Sequence, residues 1–416
     1  MFGLAALVLL GAGWLAVAAS ARISLRADAR SARRLIEAKA YEAARAPLQR
    51  WLKAEPGSAE AWFLLARQAI GLGQDEAALA AMKQASARGY SKSAVSRERG
   101  LALVRLGKLV EAEPPLRETF LAENASGTAD AEVDEALARC YLETFQLRAA
   151  EEVTNRWVRD APDDPRAYFW RAETEQRKAD ADADVMIANY ERALALDPGH
   201  DRARLALATL YLKAHRNQDA AREFTAYLQT HPDDLEAILG LGQIAAAEGN
   251  DDEAIRRLER ARSLAPGDSR PLVERGKMEL QRGRLAAALE CFDQAVALDS
   301  EEPEVHLQRS VLLARMGRED EARKERDETA RLRKQKDELA SLLKDLNRSP
   351  GDVALQYAAA RWLWDHRHPE EAARWAQKIV GEHPRHAEAN RLLAEFYEKQ
   401  GNRGLANFYR VQAEAR

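Results

Sequence analysis

The chain has 416 residues, of which 63 are Lys or Arg and 67 are Asp or Glu, for a net charge of −4. That balance gives no electrostatic case for nucleic acid, which needs basic residues clustered on one face. A chain of this length ordinarily makes two or three globular domains, unless it repeats, in which case it is one elongated body.

From Phe2 to Ala21 the sequence carries no charge, and Arg22, Arg26, Arg30, Arg33 and Arg34 follow, opposed only by Asp28. Twenty residues at ~1.5 Å rise span ~30 Å, about one hydrocarbon core. Residues 1–24 therefore read as an N-terminal apolar helix that anchors a single-pass membrane protein, or as a secretory signal. In the first case the flanking arginines favour a cytoplasmic array. In the second, Ala19-Ser20-Ala21 offers a small-x-small cleavage site and the protein is exported, although no basic residue precedes the apolar run.

From Leu25 onward a unit recurs. Its starts fall at Leu25, Ala59, Ser93, Ala131, Pro165, Asp201, Leu235, Ser269, Pro303, Val353 and Ala387, and seven of the ten intervals are 34 residues. Small residues recur at the eighth position (Ala66, Gly100, Ala138, Gly242, Gly276) and the twentieth (Ala44, Ala78, Ala150, Ala254, Ala288), as two closely packed helices require. Glycine recurs at the fifteenth (Gly73, Gly107, Gly249, Gly283, Gly317, Gly401), where a helix ends in a left-handed residue. Proline near the thirty-second (Pro56, Pro198, Pro232, Pro266) stops the second helix.

This skeleton resembles the tetratricopeptide repeat (TPR) family, whose pattern is W-x2-L-G-x2-Y, then A-x3-F, then A and P. The resemblance implies an all-α, right-handed superhelical solenoid of about eleven helical hairpins behind the N-terminal apolar helix. It divides the chain into repeats one to nine (25–336), an extension of the ninth-repeat helix (337–352) and a C-terminal pair (353–416). Cys140 and Cys291 then lie four repeats apart, too far to form a disulfide within one chain.

The beat breaks in three places. In the fifth repeat Asp180, Asp182, Asp184 and Glu191 are spaced like a calcium loop, but Val185 stands where the loop needs glycine, and an aspartate capping the next helix is the simpler account. Prolines fall inside second helices at Pro47 and at Pro114-Pro115, where they kink a helix or delay its start, while Trp51 and Trp157 stand where alanine is usual and imply looser or rearranged packing. The ninth interval is 50 residues long, and its helix from Glu319 toward Leu346 carries a stripe of Leu332, Leu339, Leu342, Leu343 and Leu346. That stripe, within residues 319–347, fits self-association or packing on the C-terminal repeats.

No constellation for catalysis is present. His366 and His368 fall in one turn and His383 and His386 at the far end of the following helix, so one metal cannot use all four. No phosphate loop, zincin helix or nucleophile elbow appears. The expectation is a non-enzyme without cofactor or metal.

The resemblance implies partner binding on the inner face of each first helix, through its second, fifth, sixth, ninth and twelfth positions. The fifth position is apolar from the fifth repeat to the tenth: Phe169, Leu205, Leu239, Val273, Leu307 and Tyr357. Arg166, Arg202, Arg270 and Lys277, with Glu173, Glu236 and Glu304, flank it. An apolar floor with charged walls suits a protein or peptide segment. The sequence thus reads as a membrane-tethered scaffold or adaptor in a bacterial envelope or at its inner membrane; the alternatives are a non-catalytic subunit of an envelope-associated enzyme complex and an exported protein in cell-envelope assembly.

Overall fold

The computed structural model describes residues 23–126, 130–144, 146–178, 180–349, 351–366 and 368–414. The apolar run from Phe2 to Ala21 lies outside them, and among the described residues no helix is long and apolar enough to cross a membrane. Every regular element among the described residues is helical.

The chain divides into two compact units, Met1–Thr144 and Phe145–Arg416. The first holds α1 (residues 23–37), α2 (Tyr41–Ala54), α3 (Ala59–Gly71), α4 (Asp75–Ala87), α5 (Lys92–Arg105), α6 (Leu109–Ser126) and α7 (Ala131–Glu143). The second begins with α8 (Leu147–Asp160), α9 (Pro165–Gln176), α10 (Ala183–Leu196), α11 (Asp201–Lys213), α12 (Asn217–Tyr227), α13 (Leu235–Ala247) and α14 (Asp251–Leu264). It continues through α15 (Arg270–Gln281), α16 (Leu285–Leu298), α17 (Pro303–Arg315), α18 (Glu319–Arg348), α19 (Val353–Asp365), α20 (Pro369–Glu382), α21 (Ala387–Lys399) and α22 (Arg403–Glu414). From α3 onward, the odd-numbered helices start within one residue of the repeat starts read from the sequence.

Within each unit, odd helices pack on the even helices that follow them, and even helices on the next odd one, as in α13 with α14 and α14 with α15. Small residues at the two recurrent positions permit this. Ala66 and Ala78 are fully buried in one cluster, and Ala254 and Ala288 are fully buried in theirs. A Cβ on Gly276 would come within 2.5 Å of the Phe292 ring, which is itself fully buried.

Among the described residues, α1, α3, α5, α11, α13, α15, α17 and α21 end in a left-handed residue. Gly73, Gly107, Gly249, Gly283, Gly317 and Gly401 have φ between 71° and 76°. Lys39 and His215 stand at the same register position and are held at φ 56° without the freedom of glycine. The turn is thus set by the packing of the two helices it joins, and a side chain is forced to follow.

The irregularities resolve locally. Asp182 caps α10, its Oδ1 accepting from the backbone N–H of Asp184 (2.9 Å) and Val185 (3.3 Å), which makes it part of a helix start. Helix α6 begins at Leu109, ahead of Pro114-Pro115, and α2 runs through Pro47, so neither start is delayed. Trp51 and Trp157 are both buried. The small neighbours Ala29, Ala32 and Ala61 make room for Trp51, so the packing is rearranged rather than loose. Helix α18 is one 30-residue helix, ~45 Å long. Its Leu346 joins the core of the C-terminal repeats with Leu363, Trp375 and Ile379, and Leu339 and Leu343 pack against the same cluster. The leucine stripe is therefore largely covered by the chain itself.

Two substitutions test these packing claims. Gly276→Ala should lower the unfolding midpoint, because overpacking costs about 1–3 kcal/mol and outweighs the ~1 kcal/mol of helix propensity that alanine gains; Gly267→Ala, with nothing near the added Cβ, serves as the control. His215→Gly should raise the midpoint, by relief of about 1 kcal/mol of left-handed strain. Thermal and urea melts followed by circular dichroism read both.

Candidate binding cleft

Helix periodicity puts residues at i, i+3, i+4 and i+7 on one face. On α13 that face carries Glu236, Leu239, Gly240 and Gln243, and on α15 it carries Arg270, Val273, Glu274 and Lys277. These are the second, fifth, sixth and ninth positions of the seventh and eighth repeats. Between them lies a cleft of about 720 Å³, walled by the loop Gly267-Asp268-Ser269, by Leu298 and Asp299, and by Glu302 and Glu304 at the start of α17. Leu239 (3% exposed) and Val273 (5% exposed) form its floor, with the more exposed Leu298 on its edge.

The walls are predominantly acidic. Six carboxylates line the cleft (Glu236, Asp268, Glu274, Asp299, Glu302, Glu304) against two cations, a surplus of four negative charges. Both cations are shared between two carboxylates. Arg270 reaches Glu236 at 2.6 Å and Asp268 at 2.8 Å. Lys277 Nζ lies 3.1 Å from both Glu274 and Glu304. Lys336, from α18, reaches Glu302 at 3.3 Å. Burial alone would disfavour the charged Asp268, yet hydrogen bonds from Arg270 hold its carboxyl below the usual carboxylate range. Burial also works against the Lys277 ammonium, but Glu274 and Glu304 outweigh it and raise its pKa.

Of the nine groove residues expected from the sequence, Leu239, Val273 and Arg270 line this cleft. Phe169 is 2% exposed, beside Tyr190 and Trp170, with the Arg202 guanidinium 4.5 Å above its ring. Arg166 is paired with Asp164 at 2.9 Å and lies over the Trp157 ring. Leu205, Leu307 and Tyr357 are half-buried, the last 5.4 Å from the His386 ring. The sequence reading missed Asp268, Glu274, Leu298, Asp299 and Glu302. Glu274 sits at a sixth position and was legible, whereas the others stand in or beside the loops, where no periodicity marks them.

The histidines have local partners. His366 stacks on Trp362, with ring centroids 3.8 Å apart, and His386 caps α21 by accepting from the Ala389 N–H. Among the described residues no group of three His, Cys, Asp or Glu is placed to hold a metal. Cys140 is buried, which pushes its thiol up to about 12, and burial raises the Cys291 thiol as well.

Models of the tetratricopeptide repeat match residues 63–127, 212–272 and 357–406, and a TPR repeat model matches 276–317. The chain belongs to the tetratricopeptide repeat family. The cellulose synthase operon protein C of Pseudomonas fluorescens (strain SBW25) is 29% identical over 148 residues, 32% of this chain and 11% of that protein. The chain thus spans about a tenth of the length of that curated relative. A tetratricopeptide repeat protein from Parabacteroides merdae ATCC 43184 aligns with TM-score 0.43 at 18% identity, over 61% of this chain and 98% of that one. Human IFIT1, solved as a dimer with PPP-AAAA, aligns with TM-score 0.39 at 15% identity, over 86% and 90%. TPR arrays are generally non-catalytic, and the repeats support a protein-interaction scaffold.

The depressed Asp268 pKa carries a pH signature. A carboxylate whose folded pKa lies below its unfolded value stabilises the fold above the unfolded value, and that stabilisation disappears as pH falls through the folded one. Melting of Asp268→Asn should therefore lie below that of the parent at pH 7, and the two should converge below the ordinary carboxyl value of 3.8. A constant gap across the series would show that the loss is one of packing or capping. Phe169→Ala should read as a core cavity, costing about 3–5 kcal/mol, in the same melts.

Proposed function

We propose that this chain is a membrane-tethered scaffold that holds a segment of a partner protein in the cleft between α13 and α15. One observation carries the reading: the residues that line the cleft occupy the inner-face positions of two consecutive repeats and combine a buried apolar floor with charged walls. Its volume lies within the range of ligand-binding clefts. The tether is the uncharged run from Phe2 to Ala21, and the arginines after it favour placement of the array on the cytoplasmic side. Export after signal cleavage is the alternative.

A second reading makes the chain a non-catalytic subunit of an envelope-associated enzyme complex. The partial similarity to a cellulose synthase operon protein favours it. Stoichiometric co-purification with an enzyme would distinguish it from a free-standing adaptor.

Two experiments test the main reading. A photo-crosslinking residue at Gln243, in the cleft, should capture a discrete protein in cells, and one at Arg256, on an exposed face of α14, should not. Equal capture from both sites, or capture from Arg256 alone, would remove the cleft from the reading. For the tether, the full chain should stay with membranes through carbonate washing, and removal of residues 1–22 should release it; release of the full chain by carbonate would count against an anchor.

A further inference from the structure

The cleft has a sign, and the sign selects an occupant. We infer that the segment it takes is cationic: a stretch of a partner protein with Lys or Arg side chains toward the walls and an apolar side chain on Leu239 and Val273. The inference rests on the cleft being the binding site, and it adds the partner's chemistry.

Charge complementarity decides among the candidates. An anionic segment, or one bearing a phosphate, would need free cations. Arg270 and Lys277 each already serve two carboxylates, so neither can turn to an anion without abandoning both. A neutral apolar helix would cover the walls and strip water from Asp299, Glu302 and their neighbours without replacing it, and a desolvated carboxylate is costly unless paired. A cationic segment brings positive charge to Asp299 and Glu302, the second of which already has Lys336 at the rim. In a concave site bounded by protein the surplus of negative charge, four among the lining residues and three once Lys336 is counted, is focused on the opening, which speeds encounter with a positive ligand and repels a negative one.

The molecule itself shows the pattern of such a contact. Arg270 inserts between Glu236 and Asp268, both of the previous repeat, and Lys277 between Glu274 of its own and Glu304 of the next. Each is a basic side chain held between two carboxylates, at least one of them from a neighbouring repeat. Lys336 makes a third such approach from α18, to Glu302 at the rim. An incoming Lys or Arg would make the same type of contact with Asp299, which is exposed, and with Glu302, which is half-buried.

The test uses the full chain in detergent and three fluorescein-labelled nonapeptides, in which leucine alternates with lysine, glutamate or serine. Anisotropy titrations should show the lysine peptide binding at least tenfold more tightly than either other peptide. Its affinity should fall as salt shortens the screening length. Asp299→Asn with Glu302→Gln keeps the shapes and removes two charges, and should weaken the lysine peptide several-fold while shifting the melting curve little, since the Glu302–Lys336 pair that it breaks is exposed. Val273→Trp, which fills the floor, should block it. If the glutamate or serine peptide binds as well or better and Val273→Trp blocks it, the cationic assignment falls and the cleft stands as a binding site. If lysine-peptide binding ignores both the charge variant and Val273→Trp, the peptide is bound elsewhere and the assignment falls. If no peptide binds and crosslinking from Gln243 also fails, both readings fall together.

Discussion

Two helices that touch through alanine and glycine are closer than two that touch through leucine, and that closeness shapes each repeat. With Ala254 and Ala288 fully buried, and Phe292 laid against the bare backbone of Gly276, the turn between the helices has little latitude. The left-handed residue that closes it is imposed, which is why Lys39 and His215 adopt a conformation that glycine takes elsewhere. The faces turned away from this contact are what remain for binding, and in the seventh and eighth repeats they make an apolar floor under acidic walls.

Charges complete the arrangement, and most are paired. Arg270 and Lys277 fix the cleft walls by linking successive repeats, and the lowered Asp268 pKa reflects the hydrogen bonds by which Arg270 favours its ionised form. Exposed pairs of this kind add little to stability singly, about 0–1 kcal/mol. Their value lies in orientation: they hold carboxylates toward the opening that would otherwise splay into water.

The fold was legible because a repeat states itself many times over. Starts such as Asp201, Leu235 and Val353 fall on the first residues of α11, α13 and α19, and the aspartate expected to cap α10 does so through Asp182. The cleft was legible in part. Leu239 and Val273 follow from register, and both line the cleft. Phe169 has the same register and is covered, since a guanidinium and two aromatic rings close over it, and periodicity carries no information about what a neighbour does with its side chain. Asp299 and Asp268 lie in loops, whose residues obey no period, so only their position in space associates them with the site.

The links made by Arg270 and Lys277 cross repeat boundaries, from α15 back to α13 and forward to α17. In a stacked array, stability is close to a sum of each repeat's own contribution and its couplings to the next. A guest that drew Glu236 or Glu304 to itself would loosen one of those couplings as it bound, and a guest that left them in place would not. Occupancy and the local stiffness of the stack would then be two readings of the same few carboxylates.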